Sequence, residues 1–159
     1  MTQTADAARS TRERWTVRVE TPLTDAEEAI VTATMDCGFA VHRELGPGFK
    51  EAIYATALCL ELNQRGMKFE RERAIDVKYR QWTIPGQRVD LIVESLIVVE
   101  VKTIPNVRSL HRQQVLSYLK TTGLPIGLVM NFNTERFIDG FRRVVLSEPP
   151  VKPVLDAQP

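Results

Sequence analysis

The sequence predicts one α/β domain in which helices pack on a central mixed sheet, and three observations carry that prediction. Apolar residues follow helical spacing over roughly 25–64, alternate with period two from residue 74, and return to helical spacing at residue 109. A continuous apolar run, Ile126-Gly127-Leu128-Val129-Met130, then follows as a buried strand requires. The expected element order is α, α, β, β, β, α, β, with a last strand over 137–146.

The first helix is announced by its cap. Thr24 precedes Asp25, Glu27 and Glu28, and Ala29, Ile30, Ala33, Cys37, Ala40 and Val41 then recur at helical intervals up to about Leu45. Gly46-Pro47-Gly48 breaks it. A second helix over about 50–64 carries Tyr54, Leu58 and Leu62 on one stripe and closes at Arg65-Gly66. The run Ala74 to Tyr79 alternates as a strand, and Pro85-Gly86 reads as a turn. Val89 to Glu94 and Leu96 to Lys102 are apolar runs with only Ser95 between them, so they must form a hairpin. The third helix, Ser109 to Thr122, ends at Gly123 and Pro125.

With 159 residues, 43% apolar and 26% charged, the chain is an ordinary single globular domain. The domain is expected over 24–146, with no internal repeat. Residues 1–23 are polar without a sustained period, and 147–159 hold four of the nine prolines, so both read as tails. A net charge of +1 does not advertise nucleic acid, but seven acidic residues face two basic ones between Asp25 and Glu61, and seven basic face two acidic between Val101 and Arg143. Cys37 and Cys59 lack metal-ligand spacing and read as buried free thiols. No leader-like or membrane-spanning apolar stretch is present, so a cytoplasmic, membrane-free protein is expected.

The chemistry concentrates on the hairpin. Asp90, Ile92 and Glu94 share one side of their strand, and Val98, Glu100 and Lys102 share one side of the next. A suitable register makes Asp90 a neighbour of the Glu100 and Lys102 pair. Glu100 stands inside Ile97-Val98-Val99-Glu100-Val101-Lys102, a run that should be central and buried, where a charge costs several kcal/mol unless paired or metal-bound. Periodicity alone allows a plain Glu100–Lys102 ion pair or an edge strand wearing its charges outward. Two converging carboxylates beside a lysine favour a hard-cation site, since Mg²⁺ takes one or two carboxylates plus water and phosphate.

These residues carry a resemblance. Val89-Asp90, a gap, then Glu100-Val101-Lys102 is similar to the D-x(n)-(D/E)-x-K core of PD-(D/E)XK nucleases, whose restriction-endonuclease-like fold has the order αβββαβ. Gly48-Phe49-Lys50-Glu51-Ala52-Ile53-Tyr54, preceded by Leu45-Gly46-Pro47, resembles the GxxExxY signature of one branch of that superfamily. Asn131-Phe132 and the segment Gly140 to Arg143 look like the same branch, so the resemblance spans nearly the whole domain. It implies that Asp90 and Glu100 ligate Mg²⁺ or Mn²⁺, with Glu51 as a third carboxylate, and that Lys102 orients the attacking water or steadies phosphate charge. Without the resemblance, Glu51 reads equally well as a first-turn glutamate favoured by the helix dipole. Gln114 and Tyr118 resemble the QxxxY element of RecB-like nucleases and are added to the catalytic set, although a glutamine bonded to a buried tyrosine is the plainer reading.

Arg88, Arg108, His111, Arg112, Arg142 and Arg143 flank these motifs and are the expected contacts to a nucleic-acid backbone, because guanidinium grips phosphate bidentately. Trp15, in a tail, and Trp82, near a turn, are not assigned to base stacking. The expected activity is metal-dependent hydrolysis of phosphodiesters, with DNA as partner. The alternatives are a non-catalytic nucleic-acid-binding or interaction module on the same fold, and an accessory subunit acting with a protein partner. A homodimer is left open.

Overall fold

The computed structural model describes residues 23–146. The expected tails and Trp15 lie outside the described residues, except Leu23, which packs against the core. The elements are α1 (Asp25–Leu45), α2 (Glu51–Gln64), β1 (Phe69–Tyr79), β2 (Trp82–Val93), β3 (Ile97–Lys102), α3 (Ser109–Thr122), β4 (Ile126–Asn131), a one-turn α4 (Phe137–Gly140) and β5 (Phe141–Val145). The expected order holds, with α4 inserted where a longer last strand was expected.

The start of α1 follows from local chemistry. At α1 the Thr24 hydroxyl accepts from the Glu27 amide, and the Glu27 carboxylate accepts from the Thr24 amide at 2.7 Å, which closes the capping box. Gly46 and Gly48 hold positive φ angles of 65° and 111°, so the chain reverses between α1 and α2 through conformations that side chains disfavour.

The five strands lie in the order β1-β2-β3-β4-β5, antiparallel except for the parallel β3–β4 pair that α3 connects. α1 and α2 cover one face. Val31, Cys37, Val41, Tyr54, Leu58 and Leu62 pack there against Leu91, Val99, Val101, Leu128 and Phe132. Val115, Tyr118 and Leu119 of α3 pack on the other face against Ile92, Val98 and Val129. Helices on both faces explain why β3 and β4 are buried along almost their whole length and read as continuous apolar runs. Cys37 and Cys59 are buried free thiols, as expected. Among the described residues no helix is long and apolar enough to cross a membrane.

The sequence misplaces the first hairpin. β1 starts at Phe69 rather than Ala74, and β2 at Trp82 rather than Val89. Pro85-Gly86 is not the turn. The strands reverse at Arg80-Gln81, flanked by the Tyr79–Trp82 pair, while Pro85 and Gly86 lie inside β2 where the register shifts between Ile75 and Val77. Two residues against one make a bulge there, and a bulge is where proline, lacking its N–H, and a glycine at φ 114° are tolerated in a strand.

The end of β4 is held by close backbone packing at Gly140, where an added Cβ would meet the Asn131 carbonyl oxygen at 2.1 Å. At Gly127 the same atom would meet Val115 Cγ1 at 2.2 Å, a side-chain contact, while the nearest backbone atom, the Val98 carbonyl oxygen, lies at 3.6 Å. Gly140→Ala should therefore destabilise the domain by about 2 kcal/mol, and by more than Gly127→Ala does. Thermal melts of the two variants decide it, and an equal or smaller loss for Gly140→Ala contradicts this packing.

Candidate active site

The β2–β3 hairpin sets the site. Its paired rungs are Val93–Ile97, Ile92–Val98 and Leu91–Val99, so Asp90 and Glu100, one residue further on each strand, face one another. That is the register the sequence leaves undetermined. Beyond the last rung the Val101 amide donates to Asp90 Oδ2 at 2.8 Å, so a carboxylate holds the two strands together where backbone pairing has ended. The β1–β2 ladder is irregular at the same level. It passes from Arg71–Leu91 to Arg73–Val89 without pairing Glu72 with Asp90, and Glu72 takes a φ of 51°.

Glu100 is 3% exposed in the middle of the sheet. Its Oε1 pairs with Lys102 Nζ at 2.8 Å, and its Oε2 is buried with no hydrogen-bond partner. Burial, then the Asp90 charge, pushes the Glu100 carboxyl up to about 7, with Lys102 opposing. Asp90 is raised by burial and drawn back by the Val101 amide and Lys102. Glu51 is exposed at the first residue of α2. Partial desolvation raises its pKa, Lys102 lowers it and Asp90 raises it, so Glu51 lies within the field of the same two groups.

Glu51 is placed by Tyr54. The buried Tyr54 hydroxyl donates to the Gly46 carbonyl at 2.5 Å and accepts from the Phe49 amide at 3.1 Å, and its ring stacks on Phe132 at 4.6 Å. One side chain thus ties the Gly46-Pro47-Gly48 reversal to the core just ahead of Glu51. Asn131 does the same for the chain leaving β3. Fully buried, it accepts from the Ile104 amide at 3.0 Å and donates to the Ile104 carbonyl at 2.8 Å, two residues beyond Lys102. The sequence gives Asn131 no role beyond the resemblance. Its signal was a polar residue closing an otherwise apolar strand.

Glu51, Ala52, Ala55, Arg71, Glu72, Asp90 and Val101 line an open cleft of about 140 Å³. Among the described residues no three His, Cys, Asp or Glu side chains are gathered closely enough to hold an ion by themselves. The Asp90 and Glu100 pair still suits a divalent cation that keeps water in its shell, because the unpartnered Glu100 Oε2 is a buried acceptor lacking a donor.

On α3, Gln114 Nε2 donates to the Tyr118 hydroxyl at 2.8 Å. Burial and the Glu100 charge push the Tyr118 phenol up to about 12, so it stays protonated beside the carboxylates. His111 Nδ1 accepts the Arg108 amide at 2.9 Å and so caps the start of α3. Arg108 and Arg112 are exposed on that first turn. Arg88 is exposed and lies 3.9 Å from Glu72. Arg142 pairs across from Val129, which pairs across from Glu100, so it stands two strands from the site at the same level. Arg143 differs, because both of its Nη atoms bond the Glu28 carboxylate at 2.5 and 2.8 Å and tie β5 to α1. A guanidinium held in this fork has fewer donors left for a phosphate.

A family model of the PD-(D/E)XK nuclease superfamily matches residues 28–144. No curated protein and no solved structure matches the chain.

The Glu100 carboxyl yields a pH prediction. Its pKa is raised in the fold, so the native state keeps a proton that the unfolded chain has already released, and stability falls as pH rises between the usual 4.5 and about 7. Glu100→Gln removes this dependence. Between pH 5 and pH 8 in EDTA, the variant should gain on the order of 1–3 kcal/mol relative to wild type. Denaturant melts at the two pH values read the difference, and parallel pH dependence of the two proteins contradicts a strained Glu100.

Proposed function

From the chain's membership of the PD-(D/E)XK nuclease superfamily, shown by the match over residues 28–144, we propose that it is a divalent-cation-dependent phosphodiesterase of the GxxExxY branch, acting on DNA. One observation carries the reading: a carboxylate buried in a central strand, with one oxygen on Lys102 and the other on nothing, facing a second carboxylate. Charge supports it. Glu51, Glu72, Asp90 and Glu100 outnumber Arg71 and Lys102 around the cleft, so a polyanion would be repelled unless a cation is bound.

In this reading Asp90 and Glu100 hold Mg²⁺ or Mn²⁺, with Glu51 at the rim contributing directly or through water. The cation would lower the pKa of a water molecule and neutralise charge on the phosphate. Asp90 keeps Oδ1 for this task, since Oδ2 is engaged by the Val101 amide. Lys102 is a point charge at the end of β3, held by Glu100 at 2.8 Å, and it steadies a phosphate oxygen or orients the attacking water without competing for the cation. Gln114 and Tyr118 form a neutral donor pair on α3, suited to a phosphate oxygen. Arg88, Arg108, Arg112 and Arg142 are the cations left to grip the backbone, with His111 beside them through its free Nε2.

Cleavage of DNA should require a divalent cation and fall by about a hundredfold in Lys102→Ala, the scale for losing one electrostatic stabiliser at a reacting centre. Gel assays with single-stranded, duplex and circular DNA in Mg²⁺, Mn²⁺ or EDTA measure both effects. Full activity in EDTA contradicts the cation, and unchanged turnover in Lys102→Ala at saturating metal removes the lysine from the chemistry. Binding of DNA without cleavage under every condition favours the non-catalytic module.

A further inference from the structure

The β1–β2 hairpin is longer than the sheet it belongs to. β2 pairs with β3 only over Leu91–Val93, so its first half has no neighbour on that side and runs on with β1 as a two-stranded arm. The base of the arm is supported, because Ile75 and Val89 are buried against the α3 core and Gln87 bonds Ser117 at 3.3 Å. Past Gln87 that support ends. β2 is antiparallel to β3, so the arm projects from the end of the sheet at which Lys102 lies, the same end at which the cleft opens.

The tip has an unusual surface. Tyr79, Trp82 and Ile84 are 54%, 53% and 49% exposed, and the Tyr79 and Trp82 rings lie nearly parallel, 20° apart with centroids at 6.3 Å. Arg80 sits over the Tyr79 ring at 5.4 Å, whereas Lys78 bonds Thr83 at 2.6 Å on the other face of the arm. Residues 77–88 hold three cations, Lys78, Arg80 and Arg88, and no acidic residue, although Asp76 immediately precedes them. The Tyr79–Trp82 cross-strand pair steadies the hairpin, but both rings still leave about half of their surface exposed among the described residues. Aromatic faces interleaved with cations are the composition that takes unpaired bases and their phosphates.

We propose that the tip of the β1–β2 arm is a second nucleic-acid contact, in which Tyr79 and Trp82 stack on unpaired bases while Arg80 holds the adjoining phosphate. Eight residues separate Trp82 from Asp90, about 26 Å at the rise of a strand. Bases inside a duplex are already stacked, so the arm selects substrates with a single-stranded tail leading to the cleft. This inference rests on the phosphodiesterase reading and adds its substrate class.

The test compares a labelled blunt duplex with the same duplex carrying a single-stranded extension, by anisotropy in Ca²⁺, a hard cation with the same oxygen ligands that neutralises the cleft, for wild type and Tyr79→Ala/Trp82→Ala. Wild type should prefer the tailed duplex, and the variant should lose about tenfold or more on that substrate and little on the blunt one. Because both side chains are exposed, melting temperature should not change. In a Trp15→Phe background Trp82 is the sole tryptophan, and its emission should be quenched by the tailed duplex. Unchanged affinity without quenching overturns the proposal. So does a variant whose sedimentation changes while its DNA affinity does not, which would make the tip a contact between copies of this chain. Cleavage that persists after tail preference is shown to be absent overturns this inference alone. Binding through Trp82 with no cleavage in Mg²⁺ or Mn²⁺ overturns the phosphodiesterase reading and leaves the arm contact standing.

Discussion

A carboxylate buried in the central strand is the constraint around which this fold is arranged. β3 must be apolar on both faces to sit between α1 and α2 on one side and α3 on the other, yet Glu100 stands in its middle. An isolated buried carboxylate costs several kcal/mol, and a single lysine relieves only part of that when one oxygen remains without a donor. The surroundings add to the cost, because Asp90 faces Glu100 across the hairpin and Glu51 approaches from α2. A domain retains such an arrangement most readily where the uncompensated charge serves a cation.

The neighbouring elements are fitted to that cluster. Backbone pairing between β2 and β3 ends just before Asp90, which frees the carboxylate to bond Val101 and to turn toward the cleft. Tyr54 fixes the chain before Glu51, and Asn131 fixes the chain after Lys102. Neither lines the cleft, and each restricts a loop next to a residue of the site. Small displacements at a reacting centre are costly, so side chains of this kind position the site as surely as the charges that form it.

Much of this was legible in the sequence because the informative signals are local. Thr24 and Glu27 announce α1 by hydrogen bonds three residues apart, and the nearly absent loop at Ser95 forces the β2–β3 hairpin, although the register that sets Asp90 opposite Glu100 is settled only by the strand pairing. What failed was decided by pairing at a distance. Pro85-Gly86 carries the chemistry of a turn, but the alignment of β1 with β2 makes it a bulge and moves the reversal to Arg80-Gln81, which bears no glycine or proline. That shift is also what pairs Trp82 with Tyr79 beside the reversal at the tip of an arm. The Arg143–Glu28 pair was not legible either, because its partners lie more than a hundred residues apart on different layers.

The central claim is that Asp90 and Glu100 repel each other until a divalent cation binds between them. Thermal melts of wild type and Asp90→Asn across a titration of Mg²⁺ or Mn²⁺ test it without any substrate. The asparagine keeps an oxygen for the Val101 amide and removes one charge. In EDTA, Asp90→Asn should be the more stable by about 1 kcal/mol, and as metal is added the wild type should gain stability by linkage while the variant gains much less. Destabilisation of Asp90→Asn in EDTA, with equal responses of both proteins to metal, would contradict the claim and leave Asp90 as a structural link between β2 and β3.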